Sequence, residues 1–185
     1  AAGLVARQPA AINALDVSTL RLLVRAEIGS TWLDACAVRQ LAVGDVVLID
    51  HCHLSESDDL WLGREGWGLR GRVEGSRMTV TAPFSRTGVS MPAHEPTLPG
   101  GDSPDPLQSL PLQLTFDVGE RTLTLAELQA LQVGQVLDLQ RPLSSAVSLR
   151  VNGHLVGCGE LVEVDGRLGV SVSALAQRLP LEVSP

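Results

Sequence analysis

The sequence predicts a mainly β fold with short helices, made of two copies of one β-rich module. Three observations carry this. The stretch LAVGDVVLI, Leu41 to Ile49, returns ninety residues later as LQVGQVLDL, Leu131 to Leu139. Apolar and polar residues alternate through both halves with the period of a half-buried strand. Between the halves, FSRTGVSMPAHEPTLPGGDSPDPLQS (residues 84–109) holds five prolines and the Gly100-Gly101 pair, which oppose helix and sheet alike. This stretch reads as a semi-extended linker.

The elements follow in order. Set residues 20–50 against 110–140 without a gap, and Leu20/Leu110, Leu22/Leu112, Gly29/Gly119, Leu33/Leu123, Leu41/Leu131, Val43/Val133, Gly44/Gly134 and Val46/Val136 are identical. Val24/Leu114, Ile28/Val118, Val38/Leu128, Val47/Leu137 and Ile49/Leu139 stay apolar in step, as a shared core demands. Each copy opens with an alternating run, LRLLVRAEI or LPLQLTFDV, that fits a strand with one buried face. Gly29 and Gly119 are expected in the turn after it. A short strand then leads into about two helical turns, DACAVRQLAVG or TLAELQALQVG, with Gly44 or Gly134 just past the helix in the left-handed conformation. Another strand follows, VVLID or VLDLQ. The second copy continues with SAVSLRV, HLVGCGELVEV and RLGVSVSAL, divided by Asn152-Gly153 and Asp165-Gly166, the signals of type I′ hairpins. The first copy's tail, DDLWLGREGWGLRGRVEGSRMTVTA, has the same strand character but loses register with its partner. A module of roughly 70 residues buries only about 60% of its unfolded surface and is marginal alone. The two halves are therefore expected to clasp each other.

Composition narrows the function. Apolar residues are 44% and charged residues 19%, a globular balance. The 14 basic residues are all arginine against 21 acids, a net charge of −7 that argues against nucleic acid and anionic membranes as partners. No apolar run approaches the ~20 residues of a membrane span, and no signal peptide is visible. The first residue is not Met, so the chain is expected to be a trimmed piece of something longer. Three widely spaced cysteines, Cys36, Cys52 and Cys158, suit a reducing cytosol better than a disulfide framework.

Several constellations invite chemistry. His51-Cys52-His53, with Asp58 and Asp59 behind, has zinc-competent side chains, and in a strand the two histidines share a face. The plainer reading is a strand end entering a polar loop, and no second ligand cluster accompanies it. Gly66-Trp67-Gly68-Leu69-Arg70-Gly71 satisfies GxGxxG, but the residues after it look like a β-hairpin rather than the helix a dinucleotide needs. His154 and Cys158 lie about 13 Å apart if both sit on one strand, too far for a nucleophile and its base. No active site, cofactor site or metal site assembles from these residues. Trp61 and Trp67 stand close together in a chain poor in aromatics; either they fill the core or the seam between modules, or they anchor a partner.

The second copy, LPLQLTFDVGERTLTLAELQALQVGQVLDLQRPLSSAVSLRVNGHLVGCGELVEVDGRLGVSVSAL, resembles the SpoA ("surface presentation of antigens") domain. That module is found in flagellar switch proteins and in the cytoplasmic ring, or sorting-platform, subunit of type III secretion systems. The matching features are Leu-x-Leu opening the first strand, Gly119, Leu125 to Leu131 with Val133-Gly134, Val151-Asn152-Gly153, Gly159-Glu160 and Gly169-Val170. The first module is a divergent match held mainly by Leu41-Ala-Val-Gly44. The resemblance implies a remnant of a preceding region (1–19), a first SpoA module (20–83), the linker (84–109), a second SpoA module (110–178) and a tail (179–185). It also implies two SpoA-type β modules packed as an intertwined intramolecular pair.

A tandem pair looks like the secretion-ring subunit. The resemblance therefore implies a structural scaffold of the bacterial type III secretion sorting platform, not an enzyme, placed in the cytoplasm at the face of the apparatus. The implied partners are the N-terminal segment of the stator protein that regulates the export ATPase, other copies of the chain, a short C-terminal product and a ring adaptor protein. The flagellar relative has an apolar patch on the strand after Gly-Glu, which here is Leu161, Val162, Glu163 and Val164; Glu163 departs from it. The stator contact is alternatively shared with the first module. Met91 in the linker, or Val89, is the candidate internal start for the short product. The runner-up readings are a flagellar motor switch component of the same fold, a metal-binding cytosolic enzyme, and an unrelated β-barrel binding module.

Overall fold

The computed structural model describes residues 16–54, 59–64, 66–86, 107–139, 142 and 146–176. The first copy folds as β1 (Arg21–Asp34), α1 (Ala35–Gln40), β2 (Val46–Leu48), β3 (His51–Cys52), β4 (Asp59–Arg64), β5 (Trp67–Glu74) and β6 (Arg77–Arg86). The second folds as β7 (Pro111–Thr124), α2 (Leu125–Ala130), β8 (Val136–Asp138), β9 (Val147–Val151), β10 (His154–Val164) and β11 (Arg167–Leu175). Strand pairing reaches Arg86, three residues into the stretch read as linker, and resumes at Pro111.

The two copies share one antiparallel sheet, ordered β2-β11-β10-β9-β7-β1-β4-β5-β6-β8, with β3 paired to β1. At its centre β1 runs against β7 from Arg21 opposite Thr124 to Asp34 opposite Pro111. Each copy gives its short strand away. β2 closes on β11 (Val47 opposite Val170), and β8 closes on β6 (Leu137 opposite Met78). The flanking backbone bonds repeat in step: Gly44 N–H donates to Val172 O at 2.8 Å, and Gly134 N–H to Val80 O at 2.8 Å. The helix starts are exchanged too, since Ala35 N–H donates to Leu110 O and Leu125 N–H to Leu20 O, both at 3.0 Å. Neither copy is complete without the other, the intertwined arrangement expected of a marginal module.

Local chemistry explains most elements. Thr124 and Glu127 form a reciprocal capping box on α2, and the Asp34 carboxylate accepts from Ala37 N–H on α1. Asn152 and Gly153 (φ 48° and 83°) and Asp165 and Gly166 (φ 52° and 75°) supply the two successive positive φ values of the expected hairpins. The helices end earlier than expected, at Gln40 and Ala130, so Gly44 and Gly134 lie in the turns leading to β2 and β8.

Gly29 and Gly119 do not form a turn, contrary to expectation. Both sit inside the 14-residue strands β1 and β7. A Cβ on Gly29 would stand 3.3 Å from Cys52 Cα, so this glycine lets β3 cross close to β1. The sequence offers the same glycine for a turn or for a close approach, and tertiary contact decides.

The core gathers Val24, Ala26 and Ile28 of β1 with their counterparts Leu114, Phe116 and Val118 of β7. Leu60, Leu62 and Leu69 close it on one side; Val147, Leu149, Val170 and Val172 close it on the other. Gly63 and Gly68 face each other across β4 and β5, beneath the Trp61 indole. A Cβ on Gly68 would lie 2.7 Å from Gly63 Cα and 2.8 Å from Trp61 Cε2. Gly68→Ala is thus expected to destabilise the fold by about 1–3 kcal/mol through overpacking, read as a lower urea midpoint; an unchanged midpoint would refute the account.

Candidate functional site

The face of β1 and β7 turned away from the core carries charge. The strand register sets Glu27 opposite Asp117, and these two acids are also counterparts in the duplicated sequence. Asp117 is 1% exposed. Arg150, reaching over from β9, donates from Nε to Asp117 Oδ2 at 2.8 Å and from Nη2 to Glu120 Oε2 at 3.2 Å. Arg25 Nε stands 3.7 Å from Glu120 Oε2 across the seam, a charge contact beyond hydrogen-bond reach. Burial raises the Glu27 carboxyl to about 7, helped by Asp117 and opposed by Arg25. Burial also raises Asp117 above the usual carboxylate range, against the pull of the Arg150 hydrogen bond.

Arg25 and Glu27 of this group also line a cleft of about 590 Å³, together with Trp32, Trp61, His53 and His154. His53 lies 6.1 Å from the Trp61 ring, and burial, followed by Arg70 and His51, lowers it to about 4. It is therefore neutral at physiological pH. His51 and Cys52 lie exposed on β3 while His53 turns inward. Among the described residues no group of three or more His, Cys, Asp or Glu is arranged to hold a metal; Asp58 lies outside them.

The two tryptophans part company. Trp61 is 4% exposed and lines the cleft. Trp67 is 51% exposed and stacks on Phe84 (centroids 6.5 Å apart, planes at 12°), with the Arg86 guanidinium 5.7 Å from its ring. The shelf stands where the first module ends. GxGxxG resolves into backbone roles: Gly66 turns (φ 79°), and Gly68 and Gly71 lie in β5 against Gly63 and Met78.

Leu161 to Val164 occupy the outer half of β10. There β10 keeps β11 (Leu161 opposite Val170, Val164 opposite Arg167), while its pairing with β9 stops at Gly159. The β10–β11 hairpin therefore projects, leaving Leu161 39% and Val164 40% exposed, with Glu163 outward and Val162 partly covered. The structure does not bring this hairpin together with Trp61 or Trp67 into one of its two described clefts. Met91 and Val89 lie outside the described residues. Sequence reasoning missed the Glu27–Asp117–Arg150 group, though a signal existed: both copies place an acid at the same point of an otherwise apolar strand, RAEIG and TFDVG.

Residues 105–177 match the family described as type III flagellar switch regulator (C-ring), FliN C-terminal. Yop proteins translocation protein Q of Yersinia pseudotuberculosis is 30% identical over 162 residues, covering 85% of this chain and 48% of the relative. Surface presentation of antigens protein SpaO of Salmonella typhi is 31% identical over 155 residues, covering 83% and 48%. The chain thus spans about half the length of these relatives. The crystal structure of YscQ-C from Yersinia pseudotuberculosis is 41% identical, covers 43% of this chain and 94% of that one, and superposes with a TM-score of 0.33.

Proposed function

Because the chain belongs to the SpoA family of type III secretion and flagellar switch (C-ring) proteins, we propose that it serves as a structural scaffold of a secretion system's cytoplasmic ring. Its work is contact, not catalysis. Paired modules form the rigid unit, and their outer surface docks the N-terminal segment of the stator protein that regulates the export ATPase. The relatives that extend across both modules carry translocation and antigen-presentation names, which favours secretion over a flagellar motor. No helix among the described residues is long and apolar enough to cross a membrane, and the acidic net charge suits a place beside the apparatus rather than on lipid. Further partners in this reading are other copies of the chain, a short product begun at Met91 or Val89, and a ring adaptor.

The observation that carries the proposal is the projecting β10–β11 hairpin, where the outer half of β10 has no β9 partner and Leu161 and Val164 stand exposed together. Titration calorimetry of the chain with the stator's N-terminal segment tests it, alongside Leu161→Asp. Tight binding that the variant weakens by at least about tenfold places the dock on the second module, since a charge buried at an apolar contact costs this much. Binding untouched by the variant keeps the scaffold but moves the dock towards the Trp67–Phe84 shelf. No binding by the unsubstituted chain overturns the reading.

A further inference from the structure

The duplicated chain carries an internal near-two-fold. Counterparts lie ninety positions apart, as Leu20 and Leu110 do, and β1 pairs antiparallel with β7. The axis passes through the seam beside Glu27 and Asp117. Every contact across the seam therefore has a mirror position, and the two can be compared.

The mirror positions agree where Leu22 faces Leu123 and Leu33 faces Leu112, but the charged ones do not. Arg25 of the first module faces Glu120 of the second. The mirror position sets Thr115 against Ser30, two hydroxyl side chains. Arg150, opposite Thr115 on β9, has as its counterpart Gly63, opposite Arg25 on β4. Next to the axis, the seam therefore has an opposite-charge pair on one side and two hydroxyls on the other. The core face shows no such asymmetry: the apolar counterparts Val24/Leu114 and Ile28/Val118 stay closely similar.

The consequence appears on exchanging partners. Two first modules would set two Glu27 carboxyls together at the axis and leave Arg25 facing Ser30. Two second modules would set two Asp117 carboxyls together, leave Glu120 facing Thr115, and gather four acids around two Arg150 side chains. Only the unlike pair puts Arg25 against Glu120. Opposite charges across a strand pair stabilise it, and like charges oppose it.

We propose that Arg25 and Glu120 are the partner-choosing pair of the seam, biasing each first module to close on a second module rather than on its own kind. The inference rests on the scaffold reading for its purpose: where many copies crowd into a ring, unlike modules must find one another. The residue-level claim stands on the seam geometry alone.

Charge exchange in the full chain tests it. R25E and E120R, each alone, set like charges across the seam; the double variant R25E/E120R restores opposite charges within one chain. Mixing the two single variants restores them between chains, because one chain's altered first module fits the other's altered second module and the remaining two modules are unaltered. Repulsion between Arg150 and an arginine at position 120 is common to E120R, the double variant and the mixture, so it cancels in the comparison. The expected result is coupling of about fivefold in the folding equilibrium for the double variant over the sum of the singles. Unfolding and refolding R25E and E120R together should give about fivefold more dimer, by light scattering, than either alone. Additive losses, or a mixture with no more dimer than the separate chains, overturn the proposal. If the reversals do not fold, the cycle R25Q, E120Q and R25Q/E120Q reads the same coupling. Loss of stator binding by the unsubstituted chain would sink the scaffold reading and leave this coupling untouched.

Discussion

Arg150→Ala is expected to destabilise the fold by about 3–5 kcal/mol at pH 8, the loss seen when one partner of a buried ion pair is removed. The pair is well shielded: side-chain exposure is 13% for Arg150 and 2% for Asp117. Without the guanidinium, the Asp117 carboxylate keeps its burial and the neighbouring Glu120 and Glu27 carboxyls but loses its strongest partner. It then escapes by taking a proton. Burial already holds its folded value above the unfolded one, and the substitution raises it further. The extra protons belong to the folded state, so the deficit should shrink as pH falls. For a chain of this length the loss corresponds to a fall in Tm of about 10 °C at pH 8. Adding Asp117→Asn should return much of it, because an amide needs no counter-charge. Thermal unfolding of both variants at pH 5 and 8 checks this; equal deficits at the two pH values would mean that Arg150 acts by packing alone.

How far the sequence foretold all this varied with the range of the interaction. The hairpins of the second module were legible to the residue, because Asn152-Gly153 and Asp165-Gly166 state the turn type locally and period-2 alternation states the strands. The helices were legible as the stretches DACAVRQ and TLAELQA, though both end sooner than Gly44 and Gly134 suggested. Gly29 was misread because glycine marks a turn and a close backbone approach alike, and only the position of β3 distinguishes them. Intertwining was implied by the family likeness, but which strands cross was not legible. VVL and VLD are three-residue strands with no pairing code of their own, and only assembly shows that β2 belongs to β11. At the candidate site, the exposure of Leu161 and Val164 depends on β9 starting only at Val147, opposite Gly159, a long-range fact. Trp61 and Trp67 look alike in sequence yet differ in exposure, since one lies beside the glycines Gly63 and Gly68 that make room for an indole and the other opens β5 at the edge of the hairpin turn.

Glu27→Gln is expected to stabilise the chain above neutrality and to leave it nearly unchanged in mild acid. The folded carboxyl lies at about 7 against 4.5 for the unfolded chain. Between those values the folded state binds more protons, so Glu27 makes stability fall as pH rises through that window. Above it the full penalty is on the order of 3 kcal/mol. Below about pH 4.5 the acid is protonated in both states, and a glutamine resembles it closely. His53 acts in the opposite sense. Its folded value of about 4 lies below the ordinary 6.5, so the unfolded state binds the extra proton and stability rises with pH up to about 6.5. From about pH 4.5 to 6.5 the two slopes nearly cancel in the unsubstituted chain. The substitution should therefore unmask the His53 slope and end with a protein more stable by up to about 3 kcal/mol at pH 8. Some of the gain arises through Asp117, which no longer faces a like charge across the seam. Urea unfolding at half-unit steps from pH 4.5 to 8 measures the difference between the two profiles. If that difference stays flat, Glu27 does not titrate in this window and the seam is not the electrostatic centre of the fold.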